Sequence, residues 1–332
     1  MADPGTAAQA SRPHAAPGAR RPVLAAVLNL VRGFLIGMAE LVPGVSGGTV
    51  ALVTGVYDEL IDSAAHAIAA LKRLVMGPNR GRGFTSQLRQ SNWGLLVPVL
   101  LGMVSAVLLA AGAMADFVVQ HPEHARGLFL GLVVASIAVP LLMARDARRA
   151  GEASGRAQLG PVASALVVLA AASTSFLLVQ LAGGGTNSQP SLLIVFLAAT
   201  VAICALVVPG VSGSFFLLAI GLYAPTMAAV DDRDLTYIAV FGVGAAVGLA
   251  SMVQVLRHLL SHHRRVTLLA MTGLMIGSLR ALWPWQAMEG EHDTGALLAP
   301  AAPVAGPVLL AALGAVVVAG LVVVERRFGA RA

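Results

Sequence analysis

The sequence predicts an all-α polytopic membrane protein, an inverted-topology repeat with two re-entrant helical hairpins and about six full transmembrane helices. Composition, a duplicated helix-breaking hexapeptide and the alternation of charge along the chain carry this reading. Of 332 residues, 57% are hydrophobic and 11% charged, and the mean hydropathy is +0.82. A soluble chain of this length needs many more charges to cover its surface. Apolar runs over 93–117, 126–143, 160–181, 236–257, 266–284 and 300–324 reach or approach the ~20 residues that span a bilayer. The single Cys204 excludes a disulfide framework and a cysteine-based metal site.

Pro43-Gly44-Val45-Ser46-Gly47-Gly48 and Pro209-Gly210-Val211-Ser212-Gly213-Ser214 are one hexapeptide with a single change, and each interrupts a strongly apolar run. The match continues at Leu52, Gly55 and Tyr57, which fall opposite Leu218, Gly221 and Tyr223. A buried helix has no use for Pro and several Gly residues, because each removes or weakens backbone hydrogen bonding. In a bilayer, broken backbone survives only where protein buries it or where it lines a polar cavity. Paired breaks in corresponding halves of a chain point to a transporter's substrate site. Pro43, Gly44, Pro209 and Gly210 are the expected hairpin breaks. A second echo, Gly131-Leu132 with Ser136 against Gly273-Leu274 with Ser278, supports the duplication.

The formal net charge of +6 and a pI near 10.6 raise the question of nucleic acid, but the placement of the charges argues against it. Most of the 22 Lys and Arg residues fall in five segments. These hold Arg12, Arg20 and Arg21; Lys72, Arg73, Arg80, Arg82 and Arg89; Arg145, Arg148, Arg149 and Arg156; Arg257, Arg264 and Arg265; and Arg326, Arg327 and Arg331. The alternating connections hold Arg126 and Arg233 beside the acids Asp116, Glu123, Asp231, Asp232, Asp234, Glu289, Glu291 and Asp293. By the positive-inside rule both termini belong in the cytoplasm, with the basic face toward anionic membrane lipid.

The arms 24–42 and 46–57 around the first break are each too short to count as independent spans. A segment passing straight through there puts every later loop on the wrong side for its charge. The second break, between the uncharged loop 183–189 and the acidic 231–234, behaves likewise. Both read as re-entrant hairpins, and the three full spans between them turn the second upside down. The chain then divides into a disordered basic tail (1–22), one membrane transport domain (23–325) and a C-terminal tail (326–332). Within the domain, repeat one covers 23–143, a linking span 160–181, and repeat two 190–325. Segment 58–76 is amphipathic and expected to lie along the cytoplasmic interface or to form a soluble linker helix. Segment 77–90, rich in Gly and Arg, reads as a mobile loop. His258, His262 and His263 cluster beside Arg264-Arg265 without a nearby carboxylate, so no metal site is expected.

Three charges remain inside apolar segments: Arg32, Glu40 and Arg280. Each costs ~2.5–3.5 kcal/mol at the bilayer centre on insertion scales, so each is a functional candidate. Arg32 lies near the cytoplasmic end of its helix, where it either snorkels to headgroups or joins the site. Glu40 directly precedes the first break and is a structural partner for an Arg, a cation ligand or a proton carrier. Arg280 is expected well inside a hydrophobic helix, either in a salt bridge with Glu40 or presenting two donors to a phosphate, the geometry that Arg suits best. Gly44, Gly47 and Gly48 let consecutive backbone N–H groups form an anion-binding nest, to which Ser46, Thr49, Ser212 and Ser214 add hydroxyls. The helix starting after each loop turns its positive end to the same point. The plainer alternative is that the glycines only allow the hairpins to cross closely.

The blocks 37–49, 209–214 and 273–284 (the last with Gly277-Ser278-Leu279-Arg280 and Leu282-Trp283-Pro284) together resemble the signature of the polyprenyl-phosphate transporter family, the undecaprenyl phosphate translocases. The resemblance runs from about residue 23 to the C-terminus. It implies flipping of undecaprenyl phosphate across the bacterial cytoplasmic (inner) membrane, recycling the lipid carrier of cell-envelope glycan synthesis. By position it carries over Glu40, the two loops with Ser46, Gly47, Gly48, Thr49, Ser212, Gly213 and Ser214, and Ser278 and Arg280 as the headgroup site. Glu40 and Arg32 are the coupling or gating candidates. No catalytic residue, metal or cofactor is expected beyond a coupling proton or sodium ion, and the partners expected are the polyprenyl-phosphate lipid and anionic lipids, not nucleic acid.

The rivals are an enzyme and a small-ion or solute secondary transporter. Polyprenyl-diphosphate phosphatases also use re-entrant inverted repeats with a Pro-Gly-x-Ser-Arg-Ser loop. Here Gly47 and Gly213 stand where that loop places Arg, and the membrane segments lack a second carboxylate near Glu40.

Overall fold

The computed structural model describes residues 22–41, 46–76, 80–153, 159–181, 190–210, 212–289, 292–302 and 304–328. The tail 1–21, Pro43, Gly44, Arg156, the loop 183–189, Glu291 and residues 329–332 lie outside the described residues. The helices are α1 (Pro22–Glu40), α2 (Gly47–Val53), α3 (Tyr57–Met76), α4 (Arg80–Leu88), α5 (Trp93–Gln120), α6 (Pro122–Ser136) and α7 (Ala138–Ala153). They continue as α8 (Pro161–Leu181), α9 (Leu192–Val207), α10 (Gly213–Ala219), α11 (Tyr223–Asp231), α12 (Leu235–His262), α13 (Arg264–Ser278) and α14 (Ala305–Phe328). A 3-10 turn, Leu279–Leu282, follows α13, and an antiparallel pair, β1 (Gln286–Glu289) and β2 (His292–Leu297), precedes α14.

Among the described residues, 7 helical stretches are long and apolar enough to cross a membrane. Most are the spans read from the sequence; the addition is α1, whose arm is expected from the sequence to be too short for a span but runs 19 residues, roughly 28 Å at the helical rise. Its counterpart α9 has 16 residues.

The duplication is visible in backbone detail. Helices α6 and α13 each have 15 residues, end on Ser136 and Ser278, and are followed by residues at φ −56° and −57°. Helices α2 and α10 each have 7 residues. Each is followed by a left-handed glycine, Gly55 at φ +73° and Gly221 at +70°, a conformation that other residues adopt only at a cost. The chain then closes with the same bond, from Val56 N to the Ala51 carbonyl (3.0 Å) and from Leu222 N to the Leu217 carbonyl (2.8 Å). Tyr57 and Tyr223 start the next helices.

Small residues set the long helix pairs, as expected where lipid supplies no hydrophobic drive and close packing must hold helices together. α1 packs on α5 and α9 on α12. A Cβ at Gly131 would run into the Ala311 carbonyl of α14, and one at Gly273 into the Val168 carbonyl of α8. The span 160–181 therefore holds toward α13 the place that α14 holds toward α6.

Charge separates along the molecule. Arg264 of α13 bonds Asp58 at the start of α3, Arg265 bonds the Leu159 carbonyl, and His66 of α3 bonds Gln87 of α4. Asp146 lines a cavity with Asp58, so the described parts of the basic segments, 72–76, 80–89, 145–153 and 257–265, gather at one end. At the other, the start of α14 lies against His124 near the start of α6. α6 runs from the acidic toward the basic end and α13 the opposite way, so these equivalent helices are inverted.

Two local features depart from the sequence reading. Residues 80–88, read as part of a mobile loop, form α4. Gly81 and Gly83 lower the intrinsic helix propensity, but packing against α3, the Gln87–His66 bond of 2.9 Å and the bond from Trp93 Nε1 to the Leu88 carbonyl (2.7 Å) override it. The acidic connection after Trp283 forms a β-hairpin, which the sequence reading does not contain.

Candidate functional site

The two broken loops touch. Ser46, 3% exposed, directs its Oγ at the carbonyls of Leu206 and Val208, each at 3.4 Å. Thr49 Oγ1 accepts the Gly210 N–H at 3.2 Å, and Tyr57 Oη donates to the Val207 carbonyl at 3.0 Å. A Cβ at Gly48 would lie 3.0 Å from the Val207 carbonyl, so the glycine admits the second loop's backbone. Gly210, at φ +86°, is pressed in turn on α13, where a Cβ would meet Met275 Cγ and N, both at 2.6 Å. The first loop, the second loop and the last turns of α13 form one buried junction.

Both short helices begin at the loops, α2 at Gly47 and α10 at Gly213, as the sequence predicts. Glu40, the last residue of α1, accepts the Gly47 N–H at 2.7 Å. One amide of the expected nest thus already carries an internal carboxyl oxygen. Ser212 and Ser214 share a hydrogen bond of 3.0 Å across the second loop. Ser46 and Thr49, expected as headgroup donors, are engaged in fastening the loops together. Ser278 is buried and donates to the Met275 carbonyl at 2.9 Å within its own helix. Thr49→Val is expected to cost ~1 kcal/mol or more, because it strands the buried Gly210 N–H; thermal unfolding of purified protein measures this, with Thr49→Ser retaining most of the stability.

Arg280 is half-buried and lies in the 3-10 turn beyond the end of α13, not in a helix interior. The helix tightens after Ser278, a common way to end the last turn. The guanidinium lies over the ring of Phe176 of α8, with Cζ 5.0 Å from the ring centroid. Gln286 of β1 caps the turn: its Nε2 donates to the carbonyls of Arg280, Ala281 and Trp283 at 3.2, 3.1 and 2.9 Å. The sequence reading misses both supports. Gln286 has no motif around it, and Phe176 gains meaning only from the pairing of α8 with α13. Arg32 sits two turns before Glu40, roughly 12 Å along α1, and donates to Asn29 at 3.0 Å; the structure does not bring it to the junction.

A cavity of ≈ 220 Å³ opens at the basic end, lined by residues that include Leu52, Tyr57, Asp58, Met143 and Asp146. Its carboxylates disfavour an anion, so it is not the candidate phosphate site. Beside it, two ion pairs join α3 to the second repeat: Asp58 to Arg264 at 2.6 Å and Asp62 to Arg257 at 2.8 Å.

These features define a polytopic, predominantly helical membrane protein with two related halves that meet at a polar junction. A family model described as VCA0040-like, undecaprenyl phosphate translocase-like, matches residues 36–296. A polyprenyl-phosphate transporter of Vibrio cholerae is 31% identical over 256 residues, 77% of this chain and 77% of its own length. A polyprenyl-phosphate transporter of Staphylococcus aureus is 28% identical over 267 residues, covering 77% of this chain and 86% of that protein. No solved structure matches the chain. The chain belongs to the undecaprenyl phosphate translocase-like family of polyprenyl-phosphate transporters.

Proposed function

We propose that the protein flips undecaprenyl phosphate across the bacterial cytoplasmic membrane, returning the lipid carrier to cell-envelope glycan synthesis. The observation that carries this reading is the fastening of the two broken loops to each other beside α13 and the turn bearing Arg280, in a chain of this family. A lipid monophosphate needs a polar pocket only for its headgroup, while its prenyl tail stays in hydrocarbon. Arg280 supplies two donors to the phosphate, and the loop amides and the Ser212–Ser214 pair complete the shell. The Glu40 carboxylate on the Gly47 amide stands in for a phosphate oxygen; an arriving headgroup displaces it.

The loops belong to hairpins that enter from opposite faces, with both termini cytoplasmic, and the repeats rock to open the site alternately. The Asp58–Arg264 and Asp62–Arg257 pairs cross between repeats at the basic end, so each opening to that side breaks them. Returning the phosphate inward moves an anion against the usual membrane potential, and entry of a proton or sodium ion on the displaced Glu40 offsets that cost. No catalytic residue is assigned, and release of phosphate from a polyprenyl diphosphate by purified protein would overturn the transporter reading in favour of an enzyme.

Proteoliposomes loaded with polyprenyl phosphate test the proposal. Wild-type protein is expected to move the headgroup between leaflets faster under an inward proton or sodium gradient. Glu40→Gln keeps an acceptor for the Gly47 amide, so it is expected to bind the lipid within a few-fold of wild type and to lose the gradient response. Wild-type transport indifferent to both gradients would remove the coupling.

A further inference from the structure

We propose that Phe176 is a positioning residue for Arg280, and that the flank of α8 is the side from which a phosphate-bearing lipid reaches the site out of the bilayer. The inference rests on the flipping function proposed above. Helix α8 turns most of its surface outward, with Val162 72%, Leu166 60%, Leu169 59% and Leu177 56% exposed. Phe176, itself 41% exposed, belongs to that outward surface, yet its ring carries the Arg280 guanidinium. One side chain therefore borders both the hydrocarbon and the only cation in the membrane interior of the second repeat's junction helix, α13 with its terminal turn.

Backbone contact holds the ring in place. A Cβ at Gly277 would collide with the Ala172 carbonyl and approach Ser175 Cβ at 2.6 Å and Phe176 N at 2.9 Å. Gly277 thus brings the main chain of α8 against α13 at Phe176 itself, three residues before Arg280. Ser175, 4% exposed, fills the seam below. A cation over an aromatic ring is held by the ring's quadrupole. The ring thereby fixes where the Arg280 guanidinium sits at the border of the hydrocarbon. An amphiphile with an anionic head and an apolar tail matches this border: the head reaches Arg280 while the tail stays along α8.

A ring that only shields Arg280 from lipid makes different predictions from one that orients it for a ligand. In nanodiscs, Phe176→Leu and Phe176→Ala are expected to weaken polyprenyl-phosphate binding about 3- to 30-fold, the range of a cation–π contact, at unchanged melting temperature. Phe176→Tyr is expected to restore wild-type affinity. A benzoylphenylalanine at 176 is expected to cross-link a polyprenyl-phosphate probe, with competition by unlabelled lipid. Wild-type affinity in Phe176→Leu, or a cross-link to bulk phospholipid that polyprenyl phosphate does not compete, overturns the proposal. Wild-type protein that binds no polyprenyl phosphate defeats the proposed function as well. Binding lost in Arg280→Ala but intact in Phe176→Leu defeats this inference alone.

Discussion

Arg280→Ala is expected to lower the affinity for polyprenyl phosphate about 100- to 10,000-fold, because two charge-assisted hydrogen bonds at ~1.5–3 kcal/mol each are lost and 1.4 kcal/mol is a factor of ten. The fold is expected to survive. An Arg at the bilayer centre costs ~2.5–3.5 kcal/mol on insertion scales, so its removal relieves a penalty, and the 3-10 turn stays capped by Gln286. Arg280→Lys keeps the charge but loses the planar fork, and is expected to fall between alanine and wild type. Lipid titration in nanodiscs beside a melting curve separates the outcomes. Unchanged affinity in Arg280→Ala rejects the site; a large drop in melting temperature makes Arg280 a structural residue instead.

The repeat was legible because its evidence is local. The left-handed glycines Gly55, Gly210 and Gly221 hold a backbone conformation that few residues tolerate, so such positions stand out in the sequence as punctuation. The charges Glu40 and Arg280 were legible because hydrocarbon makes any charge conspicuous. What the hydroxyls do was not legible. Ser46 and Thr49 look alike as donors to a ligand and as staples between the two loops, and only the distances to Leu206, Val208 and Gly210 distinguish the roles. Phe176 stayed hidden because its partner lies on a helix paired with α8 through tertiary packing, which no local pattern records.

The two halves supply unlike chemistry to like positions. The residue of the second loop that matches Glu40 is Leu206, and the residue after α6 that matches Arg280 is Ala138. Each repeat contributes one of the two charges, Glu40 on the Gly47 amide and Arg280 over Phe176. Leu206 offers its backbone carbonyl to Ser46, while Glu40 offers its carboxylate to Gly47. Symmetric backbone thus carries unlike side chains, as the proposed transport of an anion with a coupling cation requires.

Gly210→Ala is expected to be the most damaging single-methyl change at the junction. The left-handed backbone at φ +86° costs ~1–2 kcal/mol for an L side chain, and the new methyl meets the Met275 backbone where nothing flexible can yield. Overpacking adds ~1–3 kcal/mol, for a total of about 2–5 kcal/mol. Gly221→Ala, at φ +70°, shares the first cost of ~1–2 kcal/mol. The comparison sets that common backbone cost against the contact between the second loop and α13. A melting temperature falling clearly further for Gly210→Ala than for Gly221→Ala, with transport lost in proportion, supports the junction as a unit whose parts move together. Equal losses in the two variants would mean that the second loop does not bear on α13 at Met275, and with it would go the argument that the loops and Arg280 form one site.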